Sequence, residues 1–246
     1  MYFSHARTTT FTSQLLTLLS TPSSPFSQID IFLIPSFTSL VPVISQVRSS
    51  PPNTPASNLI IGAQNCSPHN TGPYTGETSP AVLSEIGVGM VEIGHAERRK
   101  LYGETDDTTA EKARAVVRNG MVPLVCVGEV ERMDVEKAAE EVIRQVGRCL
   151  EGVQGDVVIA YEPVWAIGKS EPAGVEHVVG VVQRLRGSED FKARRGSTRV
   201  VYGGSAGPGL WEGVGGAVDG LFLGRFAHEV EGFWRTIGEV AGVQPE

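Results

Sequence analysis

Short apolar runs alternate along the chain with longer stretches in which apolar residues recur every three or four positions. The runs at 29–34, 59–62, 90–93, 122–127, 157–161, 200–202 and 220–223 read as strands. The stretches at 38–47, 80–86, 108–118, 134–150, 175–186 and 229–240 read as helices, with a shorter one near Leu210. Phe11, Leu15, Leu18 and Leu19 also recur at helical spacing, so the series opens on a helix with no strand before it. A Ser/Pro-rich turn at 21–25 then leads into the first strand, which Pro35 stops.

Successive early strands lie roughly 30 residues apart, the length of a βα unit that crosses over and returns parallel. Continuous apolar strands alternating with helices imply a parallel sheet covered by helices. Polar and small residues cluster just after the strands: Gln64-Asn65, His95-Ala96-Glu97-Arg98, Glu129, Glu162, Gly203-Gly204-Ser205 and Gly224-Arg225. Chemistry spread over so many strand ends favours a closed barrel, whose site gathers at the C-terminal face, over a doubly wound sheet with one switch point. No G-x-G-x-x-G or G-x-x-x-x-G-K-[ST] follows a strand, so dinucleotide and P-loop readings lack support. The expectation is one α/β barrel domain over residues 1–246.

The net charge of −7 disfavours nucleic acid and anionic membranes as partners, since those surfaces attract basic patches. No apolar run approaches the roughly 20 residues of a membrane helix. Cys66, Cys126 and Cys149 show no C-x-x-C spacing, which points away from a disulfide framework or a zinc site and towards a reducing compartment. The first acidic residue is Asp30, and the segment before it is rich in Ser and Thr, as in a transit peptide. Only Arg7 supplies the basic character of such a peptide, and the helical spacing favours an amphipathic helix of the fold.

Glu162 ends an apolar strand and is flanked by Tyr161 and Pro163, with Trp165 nearby. Partial desolvation there would raise its pKa towards the range of a general base; the alternative is a structural, ion-paired Glu. His95 follows the strand at 90–93, where a helix start would keep the imidazole neutral and able to donate to a substrate oxygen. A lone His is more often structural. Gly203-Gly204-Ser205 and Gly224-Arg225 close adjacent strands and suit a phosphate, because glycine lets the backbone N–H groups approach an anion. They also suit plain tight turns. Gly168-Lys169-Ser170 adds an N–H and a cation from a lid hinged at Pro163-Val164-Trp165.

Five segments in this order resemble the signatures of the triosephosphate isomerase family: Gly62-Ala63-Gln64-Asn65, Gly94-His95-Ala96-Glu97-Arg98-Arg99, Cys126-Val127-Gly128-Glu129, the block from Ala160 to Gly168, and Tyr202-Gly203-Gly204-Ser205. The resemblance covers nearly the whole chain. It implies a (β/α)8 TIM barrel that interconverts phosphorylated ketose and aldose through an enediolate, with neither metal nor cofactor. By the same resemblance Glu162 moves the proton between carbons, and His95 polarises the carbonyl and shuttles protons between oxygens. Glu97 belongs to the same catalytic group, while Gly168, Lys169, Gly204, Ser205, Gly224 and Arg225 hold the phosphate. Family members are usually cytoplasmic homodimers of glycolysis and gluconeogenesis, and residues 66–77 match the loop that enters the partner, with Thr75 near its tip.

Several positions depart from the family. Its first strand ends in Asn-x-Lys-Met, and Met1 aligns with that Met, so the strand and its Lys fall outside this sequence. Without that Lys the chain as given is expected to be a weak or inactive isomerase, with Glu97 re-pairing to an arginine such as Arg98. Ala96 replaces the usual Ser, the lid at Lys169-Ser170-Glu171 looks short, and Leu223-Gly224-Arg225 replaces a Gly-Gly turn. These features resemble the tetrulose-phosphate (erythrulose-phosphate) isomerases. The competing readings are therefore a triose-phosphate isomerase, a tetrulose-phosphate isomerase, and a non-catalytic barrel that keeps phosphate binding. A Schiff-base aldolase is disfavoured because no strand ends in Lys.

Overall fold

The computed structural model describes residues 2–20, 25–169 and 173–243. Seven strands form one parallel sheet in sequence order: β1 (Phe32–Leu33), β2 (Ile60–Ala63), β3 (Met90–Ile93), β4 (Val122–Val127), β5 (Val157–Tyr161), β6 (Thr198–Tyr202) and β7 (Gly220–Leu221). Helices α1 (His5–Leu19), α2 (Leu40–Arg48), α3 (Pro80–Ile86), α4 (Ala96–Tyr102), α5 (Asp106–Arg118), α6 (Val135–Cys149), α7 (Val175–Gly187), α8 (Glu189–Lys192), α9 (Trp211–Val214) and α10 (Val230–Ala241) precede, connect and follow them. No helix among the described residues is long and apolar enough to cross a membrane.

The strands alternate between two apolar layers, as a period-2 backbone must. Val91, Ile93, Val125, Val127, Ile159 and Tyr161 pack outwards against the helices. Met90, Leu124, Cys126, Ala160 and Val201 face inwards as a smaller cluster. This is the α/β wall of a TIM barrel. It is open on one side: among the described residues, β1 and β7 are the two edges of the sheet and no backbone hydrogen bond joins them.

Side chains draw the two edges together. The rings of Phe32 and Phe222 lie 6.0 Å apart, and Asp30 before β1 is ion-paired with Arg199 of β6. Outside them α1 packs on α10, with Phe11 stacked 6.4 Å from Phe233. Ser4 caps α1 by accepting from the Arg7 N–H at 3.1 Å, and the helix buries Leu15, Leu16 and Leu19. The N-terminal segment is thus a helix of the fold, as its spacing predicts. The turn expected at 21–25 lies almost wholly outside the described residues.

The sequence pattern locates β3, β4 and β5 at their observed bounds. It overextends the edges, where 29–34 and 220–223 shrink to two paired residues each, because each edge strand finds backbone partners on one side only. The helix expected from Thr38 begins at Leu40, after a 3-10 turn at Phe37–Ser39.

Candidate active site

Two side chains, Glu162 and His95, meet at the C-terminal ends of β3 and β5. Glu162 directly follows β5, its N–H still in the ladder with Val127 O at 2.8 Å, and the residue is only 6 % exposed. Its Oε2 lies 3.8 Å from His95 Nε2 and is buried without a hydrogen-bond partner. Burial pushes the Glu162 carboxyl above its ordinary range, against the pull of His95 and of the Cys126 thiol. A carboxylate so placed lacks solvation and is ready to accept a proton from a ligand.

His95 is the N-cap of α4, where its Nδ1 accepts from the Glu97 N–H at 3.3 Å. A neutral imidazole accepting at Nδ1 carries its proton on Nε2, the nitrogen that faces Glu162. The helix start expected at His95 is therefore present. Glu97 behaves differently from its expected role: Arg98 pairs with Glu104, not with Glu97. The Glu97 side chain is 72 % exposed and approaches His95 Nδ1 at 4.0 Å. Lys112 joins Glu104 and donates to Asn65 Oδ1 at 2.9 Å, so Arg98, Glu104, Lys112 and Asn65 form one network beside the site. Burial raises the Glu104 carboxyl, but Lys112 and Arg98 outweigh it and hold the group below its usual range.

Two glycines fit around Glu162. A Cβ on Gly203 would meet Glu162 Oε1 at 2.5 Å, and one on Gly128 would collide with the Glu162 carbonyl. Below the site, fully buried Glu129 accepts from Trp165 Nε1 at 2.9 Å and from the Tyr161 hydroxyl at 3.2 Å, and it lies 2.9 Å from His177 Nε2. That network braces the 3-10 turn Val164–Ala166, which leads into Gly168 and Lys169.

Two of the residues expected to hold phosphate, Ser205 and Arg225, bind the segment that follows this turn. The Ser205 hydroxyl donates to Ala166 O at 2.8 Å and to Lys169 O at 3.2 Å, and Arg225 Nη2 donates to Gly168 O at 2.6 Å. Gly168 sits at φ 74° and Ser205 at φ 61°, a left-handed conformation that costs a serine about 1 kcal/mol or more. The Ser205 N–H is taken by Gly203 O at 2.8 Å, and Gly204 O accepts from the Tyr202 hydroxyl. Gly224 precedes the 3-10 turn Arg225–Ala227. Ser170 and Glu171 of the expected lid, and Pro172 after it, lie outside the described residues.

Glu162, His95, Glu97, Gly168, Ser205, Gly224 and Arg225 all line one cavity of about 1360 Å³ that also reaches the open side of the wall. Among the described residues lining it are the cations Arg98, Arg199 and Arg225, and no lysine. Thr75 is exposed and is not among them; it lies on a loop braced by Ser67 N–H to Thr78 O at 2.8 Å and by the stacked rings of His69 and Tyr74. No group of three His, Cys, Asp or Glu residues among the described ones is arranged to hold a metal ion.

Sequence reading passed over Glu92. It lines the same cavity, 4.0 Å from His95 Nε2, and its signal was an acidic residue inside the apolar run of β3.

Comparison with known proteins agrees with this geometry. The chain is 40% identical over 239 residues to the L-erythrulose-1-phosphate isomerase of Pectobacterium atrosepticum, covering 95% of this chain and 90% of that protein. It is 40% identical over 221 residues to the L-erythrulose-1-phosphate isomerase of Rhizobium etli, covering 85% of this chain and 79% of that protein. It is 42% identical over 190 residues to the triosephosphate isomerase of Streptococcus gordonii, covering 72% and 74% respectively. The family model described as triosephosphate isomerase matches residues 1–240. With seven parallel strands, helices on their outer face and Glu162 opposite His95, the chain belongs to the triosephosphate isomerase family.

Proposed function

We propose that this chain is a sugar-phosphate isomerase that shifts a carbonyl between adjacent carbons through an enediolate. The supporting observation is Glu162 Oε2, buried, without a hydrogen-bond partner and 3.8 Å from His95 Nε2. Glu162 removes a proton from the carbon beside the carbonyl, and the electron pair left behind forms the carbon–carbon double bond. The carbonyl oxygen takes up the charge, which the Nε2–H of His95 stabilises by donation. The Nε2 proton of His95 passes to that oxygen. The hydroxyl on the deprotonated carbon gives its proton back to Nε2 and becomes the new carbonyl, and Glu162 returns its proton to the carbon that bore the old one. Glu97, beyond His95 Nδ1, supports the imidazole at longer range.

The phosphate binds where Gly204, Ser205, Gly224 and Arg225 meet the stem of Gly168 and Lys169, with Arg225 as its counter-charge. An isomerase for either substrate size requires these groups. Triose phosphates fit the family, while tetrulose phosphates are favoured by relatives named for L-erythrulose 1-phosphate that cover up to 95% of the chain. The whole chain works as one domain, as a homodimer joined through the loop bearing Thr75, in the cytoplasm.

The deciding experiment is a turnover assay on glyceraldehyde 3-phosphate and on erythrulose phosphates, paired with titration of a phosphorylated enediolate mimic. Turnover, with mimic binding weakened by Glu162→Ala, supports the isomerase. Mimic binding indifferent to Glu162→Ala, without turnover on either substrate, establishes instead a barrel that only holds phosphate.

A further inference from the structure

Glu92 is an acidic side chain where the strand pattern calls for an apolar one. It shares the inward face of β3 with Met90, which packs in the inner cluster with Leu124 and Cys126. Its side chain is 13 % exposed. Glu92 Oε1 lies 4.0 Å from His95 Nε2 and accepts from Cys126 Sγ at 4.0 Å. The same His95 Nε2 lies 3.8 Å from Glu162 Oε2. One imidazole N–H therefore stands between two largely buried carboxyl groups, and it can donate to only one oxygen at a time.

Two ionised carboxylates flanking one neutral imidazole, shielded from water, repel each other and both lack solvation. The stable arrangement keeps one of them protonated. We infer that Glu92 is a positioning residue of the isomerase site: it holds a proton as the neutral acid, so that Glu162 is the single carboxylate facing His95 and the substrate.

The surrounding groups agree. From its own strand and the following helix Glu92 faces His95 and Glu97, from β4 it faces Cys126, and from β5 Glu162. Burial raises the Glu92 carboxyl to about 7; His95 opposes that rise, and Glu162 and Glu97 add to it. Burial also drives the Cys126 thiol well up, so it keeps its proton and adds no charge beside either carboxyl. Because the two carboxyls interact, the proton belongs to the pair, with Glu92 holding it and Glu162 free to act.

The consequence for turnover rests on the isomerase reading above. When Glu92 ionises, a second negative charge stands beside the forming enediolate, and kcat/KM falls. The wild-type profile is expected to bend downward above about pH 7. Glu92→Gln, permanently neutral and of nearly the same shape, is expected to lose that bend whatever the height of its profile. A matching bend in both proteins overturns the proposal.

A second measurement does not need turnover. The imidazole signal of His95, followed by NMR with labelled histidine and assigned by His95→Gln, is expected to show a step near neutral pH in wild type. That step reports the Glu92 proton and is expected to vanish in Glu92→Gln. A step that persists in Glu92→Gln overturns the proposal even if the protein turns over sugar phosphates. Loss of the step in a protein without turnover supports the role of Glu92 and removes the isomerase reading instead. Glu92→Asp, which keeps a carboxyl on a shorter arm, is expected to retain a displaced step and provides the comparison should Glu92→Gln fail to fold.

Discussion

At the scale of single residues, the position of Glu162 is set by what its neighbours lack. Gly203 leaves room for Oε1 that a single methyl would fill, since its Cβ would come within 2.5 Å of that oxygen. Gly203→Ala is therefore expected to displace the carboxylate at a stability cost of about 1–3 kcal/mol. A displacement of about 1 Å costs roughly 10²-fold in rate, so kcat should fall far more than KM changes. Steady-state kinetics beside a denaturant titration checks both. Glu92 carries a prediction on stability. Its carboxyl is raised from the ordinary 4.5 to about 7, so the folded chain holds that proton more tightly than the unfolded one. Its stabilising contribution is complete below about pH 4.5 and is lost as pH rises through about 7. Between those limits wild type is expected to lose on the order of 3 kcal/mol that Glu92→Gln does not lose, read by denaturant unfolding across the pH range. Glu162 and His95 were legible because strand ends announce themselves in sequence. Glu92 was harder to read: an acid inside the apolar run of β3 stands out, but only the fold shows that its side chain turns inward beside His95.

At the scale of elements, the stem of the lid is tied at both edges. Ser205 binds Ala166 and Lys169 carbonyls, and Arg225 binds the Gly168 carbonyl, so strands β6 and β7 hold a segment that leaves β5. A phosphate entering among these groups competes for the Arg225 guanidinium. Arg225→Ala removes both the tie and the counter-charge, and a charge-assisted hydrogen bond at an exposed site supports an expected rise in KM of roughly tenfold. Arg225→Lys should recover only part of it, because a single ammonium cannot reproduce the planar fork. Inhibition by inorganic phosphate, weakened in parallel in both variants, separates lost phosphate binding from a slower chemical step. Elements with partners on both sides were the most readable: β3, β4 and β5 stand where their apolar runs place them. The helix α8, Glu189–Lys192, was not foreseen, since four mostly charged residues carry no periodicity. Arg98 also went elsewhere than expected, because Glu104 at the end of the α4 turn sits between Arg98 and Lys112.

At the scale of the whole molecule, the sheet has a firm centre and two loose ends. β4 pairs on both sides, with four residues in register on β3 and four on β5, whereas β1 and β7 each contribute two residues to a single neighbour. Unpaired edges expose backbone N–H groups to water and open locally at lower cost than a central strand. What holds the ends together is side-chain contact, Phe32 against Phe222 and Asp30 with Arg199, backed by α1 on α10. Amide exchange of the chain alone should therefore be graded, slowest in β4 and β5 and fastest among the strands in β1 and β7. Arg199→Ala should speed exchange in β1 further while leaving β4 unchanged, because it unties one edge without touching the centre. Protection in β1 and β7 equal to that in β4 would mean that another strand or a second copy of the chain pairs with them.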